Sequence, residues 1–243
     1  MTVTAIIQAR MGSTRLPGKI LKEVNGNPLL LHQINRLKHS KLIDQLVIAT
    51  TTEKQDNIIE EFCKKHSVSF YRGSENDVLA RYYEASEKFG GDVIVRLTSD
   101  CPNIDSVVVD ATIQNYLENT DGYDYVSNTI ERSYPRGLDT EVFSKKTLNA
   151  AYQKATLSRD REHVTSYIYT HPEQFHIGSY KGNVNYSEYR WTVDTKEDYQ
   201  LVRNILENFN GREEAFSLEE AILLMKENPQ WFDINAHIEQ KKI

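Results

Sequence analysis

Near its N-terminus the sequence is TVTAIIQARMGSTRLPGK (residues 2–19), in which a short apolar run leads directly into a basic loop. The run from Thr2 to Gln8 has the length and the β-branched content of a buried strand. Two glycines, two hydroxyl side chains and three basic side chains follow within the next eleven residues. Ligands of open α/β sheets bind beside the carboxyl ends of the strands, so this loop is predicted to lie at a binding site.

Short apolar runs and longer helical segments alternate through roughly the first 130 residues. The predicted strands are Thr2–Gln8, Gln45–Thr50, Ser69–Arg72 and Val93–Thr98, and the predicted helices are Leu29–Lys38, Lys54–His66, Val78–Phe89 and Ser106–Asn119. Each helical segment has apolar residues at spacings of three and four. This alternation is typical of a parallel sheet covered by helices, and it predicts an α/β sandwich.

The second half of the sequence has a less regular order of elements. Strands are predicted at Tyr123–Ser127, Thr140–Ser144, His176–Tyr180 and Tyr189–Thr192, and helices at Lys145–Ala155, Asp160–His171, Lys196–Phe209 and Ser217–Asn228. The length of 243 residues fits a single domain. We therefore expect one domain over residues 1–243, with residues 123–190 as a small lobe beside a mostly parallel central sheet.

The composition disfavours several broad classes of protein. With 39% hydrophobic and 26% charged residues, the chain can bury a core and still cover it with polar surface. A net charge of −6 disfavours general nucleic-acid binding, which needs a basic face. No apolar run approaches the about 18 residues of a membrane helix, so no membrane partner is expected. Cys63 and Cys101 match neither a disulfide framework nor a zinc site and favour a reducing, cytoplasmic compartment.

The loop after the first strand has the composition of an anion-binding site. Small residues let backbone N–H groups approach phosphate oxygens, and Arg10, Arg15 and Lys19 supply the charge that a triphosphate needs. The spacing is neither that of a P-loop nor that of the dinucleotide-binding glycine motif, which disfavours P-loop kinases and hydride transfer. A solvated basic turn remains the alternative interpretation.

Two acidic residues are candidates for binding Mg²⁺. Asp100 follows the predicted fourth strand in LTSDCP (residues 97–102), and Asp194 lies between an apolar run and a helix in RWTVDTKED (residues 190–198). Two carboxylates that meet a triphosphate are a usual way of holding this hard cation. The alternatives are a turn or cap role for Asp100, and for Asp194 an N-cap with Glu197 completing a capping box.

The segments IIQARMGSTRLPGKIL (residues 6–21), LTSDCP and WTVDTKEDY (residues 191–199) resemble, in this order and spacing, the cytidylyltransferases that activate acidic sugars. The resemblance covers nearly the whole chain and is strongest to the group of the spore coat polysaccharide biosynthesis protein SpsF, which is related to acylneuraminate and 3-deoxy-manno-octulosonate cytidylyltransferases. It implies a GT-A-like nucleotidyltransferase fold, CTP as substrate, and Mg²⁺ between Asp100 and Asp194. It also implies a homodimer that transfers CMP to an acidic sugar for surface or spore coat polysaccharide.

The resemblance also implies roles for individual residues. The implied nucleotide-binding residues are Gln8, Ala9, Arg10, Gly12, Ser13, Arg15, Lys19, Ser74 and Asp77, of which Arg15 and Lys19, together with Asp100, are predicted to be catalytic. Arg15 and Lys19 would neutralise the charge that develops on the departing pyrophosphate. The implied acceptor-binding residues are Arg136, Asp139, Glu141, Arg161, Glu162 and His163. Without the family, Asp77 is predicted to be a helix cap, and the acceptor segments a turn and a charged helix start.

Two other hypotheses remain open from the sequence. One keeps the fold but assigns another nucleotide, or the transfer of a sugar from a nucleotide sugar. The cationic loop disfavours a glycosyltransferase, because an intact triphosphate needs more positive charge than a nucleotide sugar does. The other hypothesis is a non-catalytic nucleotide-binding subunit, which the presence of Lys19, Asp100 and Asp194 disfavours.

Overall fold

Nine strands and nine α-helices form the described part of the chain, residues 1–240 of a computed structural model. The strands are β1 (Val3–Gln8), β2 (Glu23–Val24), β3 (Asn27–Pro28), β4 (Gln45–Thr51), β5 (Ser69–Gly73), β6 (Val93–Thr98), β7 (Tyr125–Ser127), β8 (Glu141–Ser144) and β9 (Ile177–Ser179). The helices are α1 (Leu29–Leu37), α2 (Asn57–Lys65), α3 (Val78–Phe89), α4 (Ser106–Glu118), α5 (Lys145–Lys154), α6 (Ser158–Glu162), α7 (Ser166–Tyr169), α8 (Lys196–Asn208) and α9 (Leu218–Glu227).

Seven of the strands form one mixed sheet in the order β5-β4-β1-β6-β8-β7-β9. The strands β5, β4, β1 and β6 are parallel, and β8 is antiparallel to both of its neighbours. Gln8 at the end of β1 lies opposite Thr98 at the end of β6. The carboxyl ends of the two central strands therefore meet at one edge of the sheet, as the sequence predicted.

Alternate residues of β1 pack into two different cores because successive side chains of a strand point to opposite faces. Ala5 and Ile7 belong to the core that contains residues of α1, α2 and α4, while Ile6 belongs to the core that contains residues of α3, α5 and α7. A third core joins α8 and α9 around Trp191. The predicted α/β sandwich with a mostly parallel central sheet is confirmed.

Two of the predicted elements are wrong. The predicted strand Tyr189–Thr192 is not a strand, because only a single bridge between Arg136 and Arg190 forms there. The predicted helix Asp160–His171 is two short helices, α6 and α7. Val164 separates them with a φ of 56°, a left-handed conformation that cannot continue a right-handed helix.

Much of the predicted lobe, residues 123–190, belongs to the main structure. Strands β7, β8 and β9 extend the central sheet, and residues of α5 and α7 lie in the core on one of its faces. The reason is that β8 turns back antiparallel beside β6, so the chain adds strands to the existing edge. An acceptor-binding or dimerisation role for this region stays a prediction.

Two features bear on the predicted compartment and partners. Cys63 and Cys101 are both buried and form no disulfide. Burial raises the pKa of the Cys63 thiol to about 12, which makes it inert. Among residues 1–240, no helix has both the length and the apolar character that a membrane span requires. The cytoplasmic location stays a prediction.

Candidate active site

A cleft of about 440 Å³ lies at the carboxyl ends of β1 and β6. Eleven residues that the sequence singled out line it, namely Gln8, Ala9, Arg10, Gly12, Ser13, Arg15, Lys19, Asp100, Glu162, His163 and Asp194. They come from the end of β1 and the loop after it, the turn after β6, the end of α6 with the residue that follows, and the segment before α8. The parallel strands β1 and β6 bring the first two of these segments to one edge of the sheet.

The loop after β1 is held in place by hydrogen bonds of the Met11 backbone. Met11 N donates to Asp56 Oδ1 at 2.7 Å, and Met11 O accepts from Gly18 N at 3.2 Å. Gly18 has a φ of 67°, and a Cβ there would lie 3.2 Å from Met11 Cε. Glycine suits this position because it adopts the left-handed conformation without strain. The loop then turns directly into the short 3₁₀-helix Lys19–Leu21, which places Lys19 in the cleft.

The Lys19 ammonium lies between two carboxylates. Its Nζ donates to Asp100 Oδ2 at 2.9 Å and to Asp194 Oδ1 at 2.8 Å. Burial lowers the pKa of Lys19, but the charges of the two carboxylates outweigh it and raise the pKa. For Asp100, an acid, burial has the opposite effect and raises the pKa, but Lys19 lowers it to about 2. All three groups are therefore in contact around a single point of the cleft.

Asp194 is positioned from behind by a network of charged residues. Arg190 Nη2 donates to Asp194 Oδ2 at 2.8 Å, and Arg190 Nε donates to the fully buried Asp198 at 2.9 Å. Arg15 reaches the same Asp194 oxygen from the cleft side at 2.9 Å. Val193 N donates to Asp100 O at 2.8 Å, which draws this segment against the turn after β6.

The structure corrects the capping role considered for Asp194. The N-cap of α8 is Thr195, and Asp198 completes its capping box. Glu197 therefore does not complete the box. Asp198 is also buried and accepts hydrogen bonds from Arg190. The carboxylate of Asp194 remains directed at Lys19 and Arg15.

The donor set of the cleft fits a hard divalent cation that is bound together with a triphosphate. Within residues 1–240, no group of three or more His, Cys, Asp or Glu side chains forms a ready-made metal site. Asp100 and Asp194 nevertheless both contact the Lys19 ammonium, and both offer carboxylate oxygens, which Mg²⁺ prefers. Phosphate oxygens and water would have to complete the coordination shell.

Comparison with known proteins establishes the family. A family model described as cytidylyltransferase matches residues 4–241 of the chain. The chain belongs to the cytidylyltransferase family. The resemblance seen in the sequence motifs is therefore confirmed.

Individual relatives of this cytidylyltransferase agree with the family model. The chain is 36% identical to the spore coat polysaccharide biosynthesis protein SpsF of Bacillus subtilis over 231 residues, which cover 92% of this chain and 94% of the relative. The solved structure of a cytidylyltransferase from Leptospira borgpetersenii is 37% identical and superimposes with a TM-score of 0.91. The match covers 100% of this chain and 100% of the Leptospira chain.

Two more distant solved structures share the fold. A CMP:2-keto-3-deoxy-manno-octonic acid synthetase in complex with CTP has 16% identity and a TM-score of 0.66, covering 86% of this chain and 99% of its own. The manganese complex of Rv0371c from Mycobacterium tuberculosis has 13% identity and a TM-score of 0.56, covering 84% of this chain and 99% of its own. The nucleotidyltransferase fold predicted for this cytidylyltransferase is confirmed by these likenesses.

Several residues that line the cleft were not singled out from the sequence of this cytidylyltransferase, namely Thr14, Glu75, Asn76, Val78, Arg81, Thr98 and Ser99. Arg81 is the most informative of them, because it is only 2% exposed and yet borders the cleft. Its Nη1 donates to Ser74 O at 3.1 Å. Its position one helical turn after Asp77, in RGSENDVLAR (residues 72–81), was the signal available in the sequence.

Two predicted nucleotide-binding residues lie behind the cleft lining. Asp77 caps α3 by accepting from Ala80 N at 2.9 Å, as the sequence alone indicated. Its other oxygen accepts from Arg161 Nε at 2.9 Å. Ser74 Oγ accepts from Asp77 N at 3.1 Å, so its hydroxyl supports the same turn. Nucleotide binding by Ser74 and Asp77 stays a prediction, and their observed contacts are structural.

Four predicted acceptor-binding residues also lie outside the cleft lining. Arg161 is bound to Asp77 and donates from Nη1 to Tyr152 O at 2.8 Å. Asp139 accepts two hydrogen bonds from Arg132, and Glu141 is paired with Arg96. Arg136 lines a separate cavity of about 110 Å³. Among the predicted acceptor-binding residues, the cleft thus brings together Glu162 and His163, and the roles of the other four stay predictions.

The contacts of Arg161 predict that it stabilises the fold. We expect Arg161→Met to lower the free energy of unfolding by about 1–3 kcal/mol, because the Asp77 carboxylate loses its charged donor. Urea unfolding followed by circular dichroism measures this. Arg203→Met is the matched control, since its ion pair with Glu207 is exposed and is expected to contribute less than about 1 kcal/mol. An unchanged stability, with a raised KM for the sugar acceptor, would contradict the structural role.

Proposed function

We propose that this protein transfers CMP from CTP to an acidic sugar, releases pyrophosphate and depends on Mg²⁺. The observation that carries the proposal is the contact of Lys19 with both Asp100 and Asp194 in a cleft at the strand ends. Membership of the cytidylyltransferase family supports the use of CTP. The names of SpsF and of the octonic acid synthetase support an acidic sugar as acceptor and polysaccharide synthesis as the purpose.

The loop residues of the cleft are proposed to bind and orient the triphosphate. Backbone N–H groups near Gly12 and Ser13 would approach phosphate oxygens, while Arg10, Arg15 and Lys19 would supply the positive charge. Asp100 and Asp194 would hold Mg²⁺, which when bound neutralises charge on the phosphate oxygens. Lys19 borders both the carboxylates and the loop, so it is placed to follow charge onto the departing pyrophosphate.

The reaction needs alignment and charge compensation more than a nucleophilic residue of the protein. A hydroxyl oxygen of the sugar forms a bond to the α-phosphorus and gives up its proton, while the bond from that phosphorus to pyrophosphate breaks. Glu162 and His163 are proposed to bind hydroxyl groups of the sugar, because they line the same cleft as the loop but belong to a different segment. Ala9 and Gln8, at the end of β1, are proposed to border the base and ribose.

We further propose that the protein works in the cytoplasm as a homodimer. The compartment rests on the two free, buried cysteines, and the dimer rests on the family resemblance. Residues 1–243 would form one catalytic unit, since the family model spans residues 4–241.

A pyrophosphate-release assay tests the proposed function. The protein is incubated with each of the four NTPs and Mg²⁺ against a panel of acidic sugars that includes N-acetylneuraminate and 3-deoxy-manno-octulosonate. We expect pyrophosphate release with CTP and an acidic sugar, and with none of the other three nucleotides. EDTA should abolish this release and added Mg²⁺ should restore it. Pyrophosphate release with another nucleotide and not with CTP would contradict the proposal. Tight nucleotide binding without turnover of any pair of nucleotide and acidic sugar would also contradict it.

A further inference from the structure

A chain of buried and partly buried hydrogen bonds crosses three strands of the sheet and begins at Gln8, which lines the cleft. Arg96 on β6 donates from Nη2 to Gln8 Oε1 at 3.2 Å and from Nη1 to Glu141 Oε1 at 2.7 Å. The second oxygen of Glu141, on β8, accepts from Thr165 Oγ1 at 2.6 Å. The chain therefore connects Gln8, which lines the cleft, to the turn between α6 and α7, which carries His163 into the same cleft.

The bond from Arg96 fixes the orientation of the Gln8 amide. A glutamine amide presents a carbonyl oxygen on one side and an NH₂ group on the other, whereas a guanidinium can only donate. A flipped Gln8 amide would place two donors against each other and leave both unsatisfied. Arg96 thus holds Oε1, and the part of the amide that remains for a ligand in the cleft is the Nε2 donor.

The ion pair between Arg96 and Glu141 is costly to bury. Their side chains are only 13% and 11% exposed. Burial lowers the pKa of Arg96, but the charge of Glu141 outweighs it and raises the pKa, so Arg96 stays charged. An apolar pair of similar volume is often as stable as a buried ion pair. The pair is better explained by the two groups that it orients, Gln8 and Thr165.

The turn on the other side of Glu141 is under backbone strain. Val164 is fully buried and has a φ of 56°, which is unfavourable for a β-branched residue and costs on the order of 1–3 kcal/mol. This conformation places the Val164 side chain in the core while its neighbour His163 lines the cleft. The bond from Thr165 to Glu141 fastens the strained turn to β8.

We propose that Arg96 and Glu141 are positioning residues for the transfer reaction. Arg96 holds Gln8 as a hydrogen-bond donor to a substrate oxygen, and Glu141 holds the turn that carries Glu162 and His163. The ligand group that meets Gln8 is a carbonyl or hydroxyl oxygen, supplied either by the base or ribose of CTP or by the sugar acceptor. This inference rests on the proposed function, because that function names the two substrates.

A double-mutant cycle tests the positioning role. The variants are Gln8→Ala, Arg96→Lys and the double variant, and the readouts are the Kd for CTP with Mg²⁺ by calorimetry and the KM for the acceptor. Lysine keeps the charge beside Glu141 but loses the fork that also reaches Gln8. We expect each single variant to raise one of these constants by about tenfold, and the double variant to raise it no further. The constant that changes identifies the substrate that Gln8 meets.

Additive effects of the two single variants, or no effect on either constant, would overturn the proposal. If Arg96 were merely structural, Arg96→Lys would lower the melting temperature. It would then change each constant by the same factor in the wild-type and in the Gln8→Ala background. Arg72→Lys is the matched control, because Arg72 on β5 also pairs with a glutamate, Glu60, at 2.7 Å but does not line the cleft. Both constants should stay within about threefold of wild type in this control.

Gln8→Glu tests the donor directly, in a variant whose new carboxylate suits Arg96. The oxygen that Arg96 holds is retained, while the NH₂ group is replaced by an acceptor oxygen. We expect the same constant to rise at least about tenfold with the melting temperature preserved, and an unchanged constant would overturn the proposal. If wild type shows no turnover, the proposed function has failed independently of the positioning role, and the double-mutant cycle is then decided by the Kd for CTP alone. Non-additive effects on this Kd support the positioning role, and the absence of any effect overturns it.

Discussion

Lys19→Met is expected to lower kcat/KM by about 10²–10³-fold, the largest effect of any single substitution in the loop after β1. The variant keeps the length of the side chain but removes the ammonium that contacts Asp100 and Asp194. Loss of one preorganised charge-stabilising group costs about 3–4 kcal/mol of transition-state stabilisation. Steady-state pyrophosphate release at saturating Mg²⁺, measured over a range of CTP concentrations, gives the change in kcat/KM.

A second readout separates Lys19 from a general effect on folding. Without the ammonium, the two carboxylates face each other, so we expect Mn²⁺ to bind the nucleotide-free variant more tightly than it binds wild type. Lys22→Met is the matched control, since Lys22 lies on the same segment but contacts the ring of Tyr199. Activity above about a tenth of wild type in Lys19→Met would contradict the assigned role.

Asp100→Asn is expected to lower kcat at least about a hundredfold, because it removes one carboxylate ligand of the proposed Mg²⁺. The pKa of Asp100 is lowered to about 2, so the residue is ionised at neutral pH and asparagine is a true change of charge. Asp194 keeps its contacts with Arg15 and Arg190, and the fold should be retained. A titration of activity against Mg²⁺ measures the expected rise in the metal requirement.

The matched control for Asp100→Asn is Asp121→Asn, an exposed residue after α4. It makes the same chemical change away from the cleft, and kcat should stay near wild type. An Asp100→Asn variant with unchanged kcat and unchanged Mg²⁺ dependence would contradict the metal site.

The sequence was sufficient for those parts of the site that follow from sheet topology. An apolar strand followed by a basic loop placed Arg15 and Lys19 at a carboxyl end, and the parallel pattern placed Asp100 at the neighbouring end. Asp194 was predicted to join them as a second carboxylate between an apolar run and a helix, and the family motifs supported that pairing, because no local periodicity reports a contact over the 175 residues to Lys19.

The parts that could not be predicted depend on contacts between residues that are far apart in the sequence. The resemblance implies an acceptor-binding role for Arg161, which stays a prediction, but nothing in the sequence indicated its ion pair with Asp77, 84 residues away. Tyr189–Thr192 has β-branched and aromatic residues, yet Gly137 packs so closely against Trp191 that a Cβ there would lie 2.7 Å from the backbone. The segment therefore lies against the loop after Pro135 and does not join the sheet.

The most direct test of the central claim follows the phosphorus atoms of CTP. Wild-type protein is incubated with Mg²⁺ and an acidic sugar, and with CTP labelled with ³²P at either the α or the γ position. Attack at the α-phosphorus predicts that the α label appears in a sugar-containing product and the γ label appears in pyrophosphate. A γ label in a sugar phosphate or in inorganic phosphate, with no α label joined to the sugar, would contradict CMP transfer.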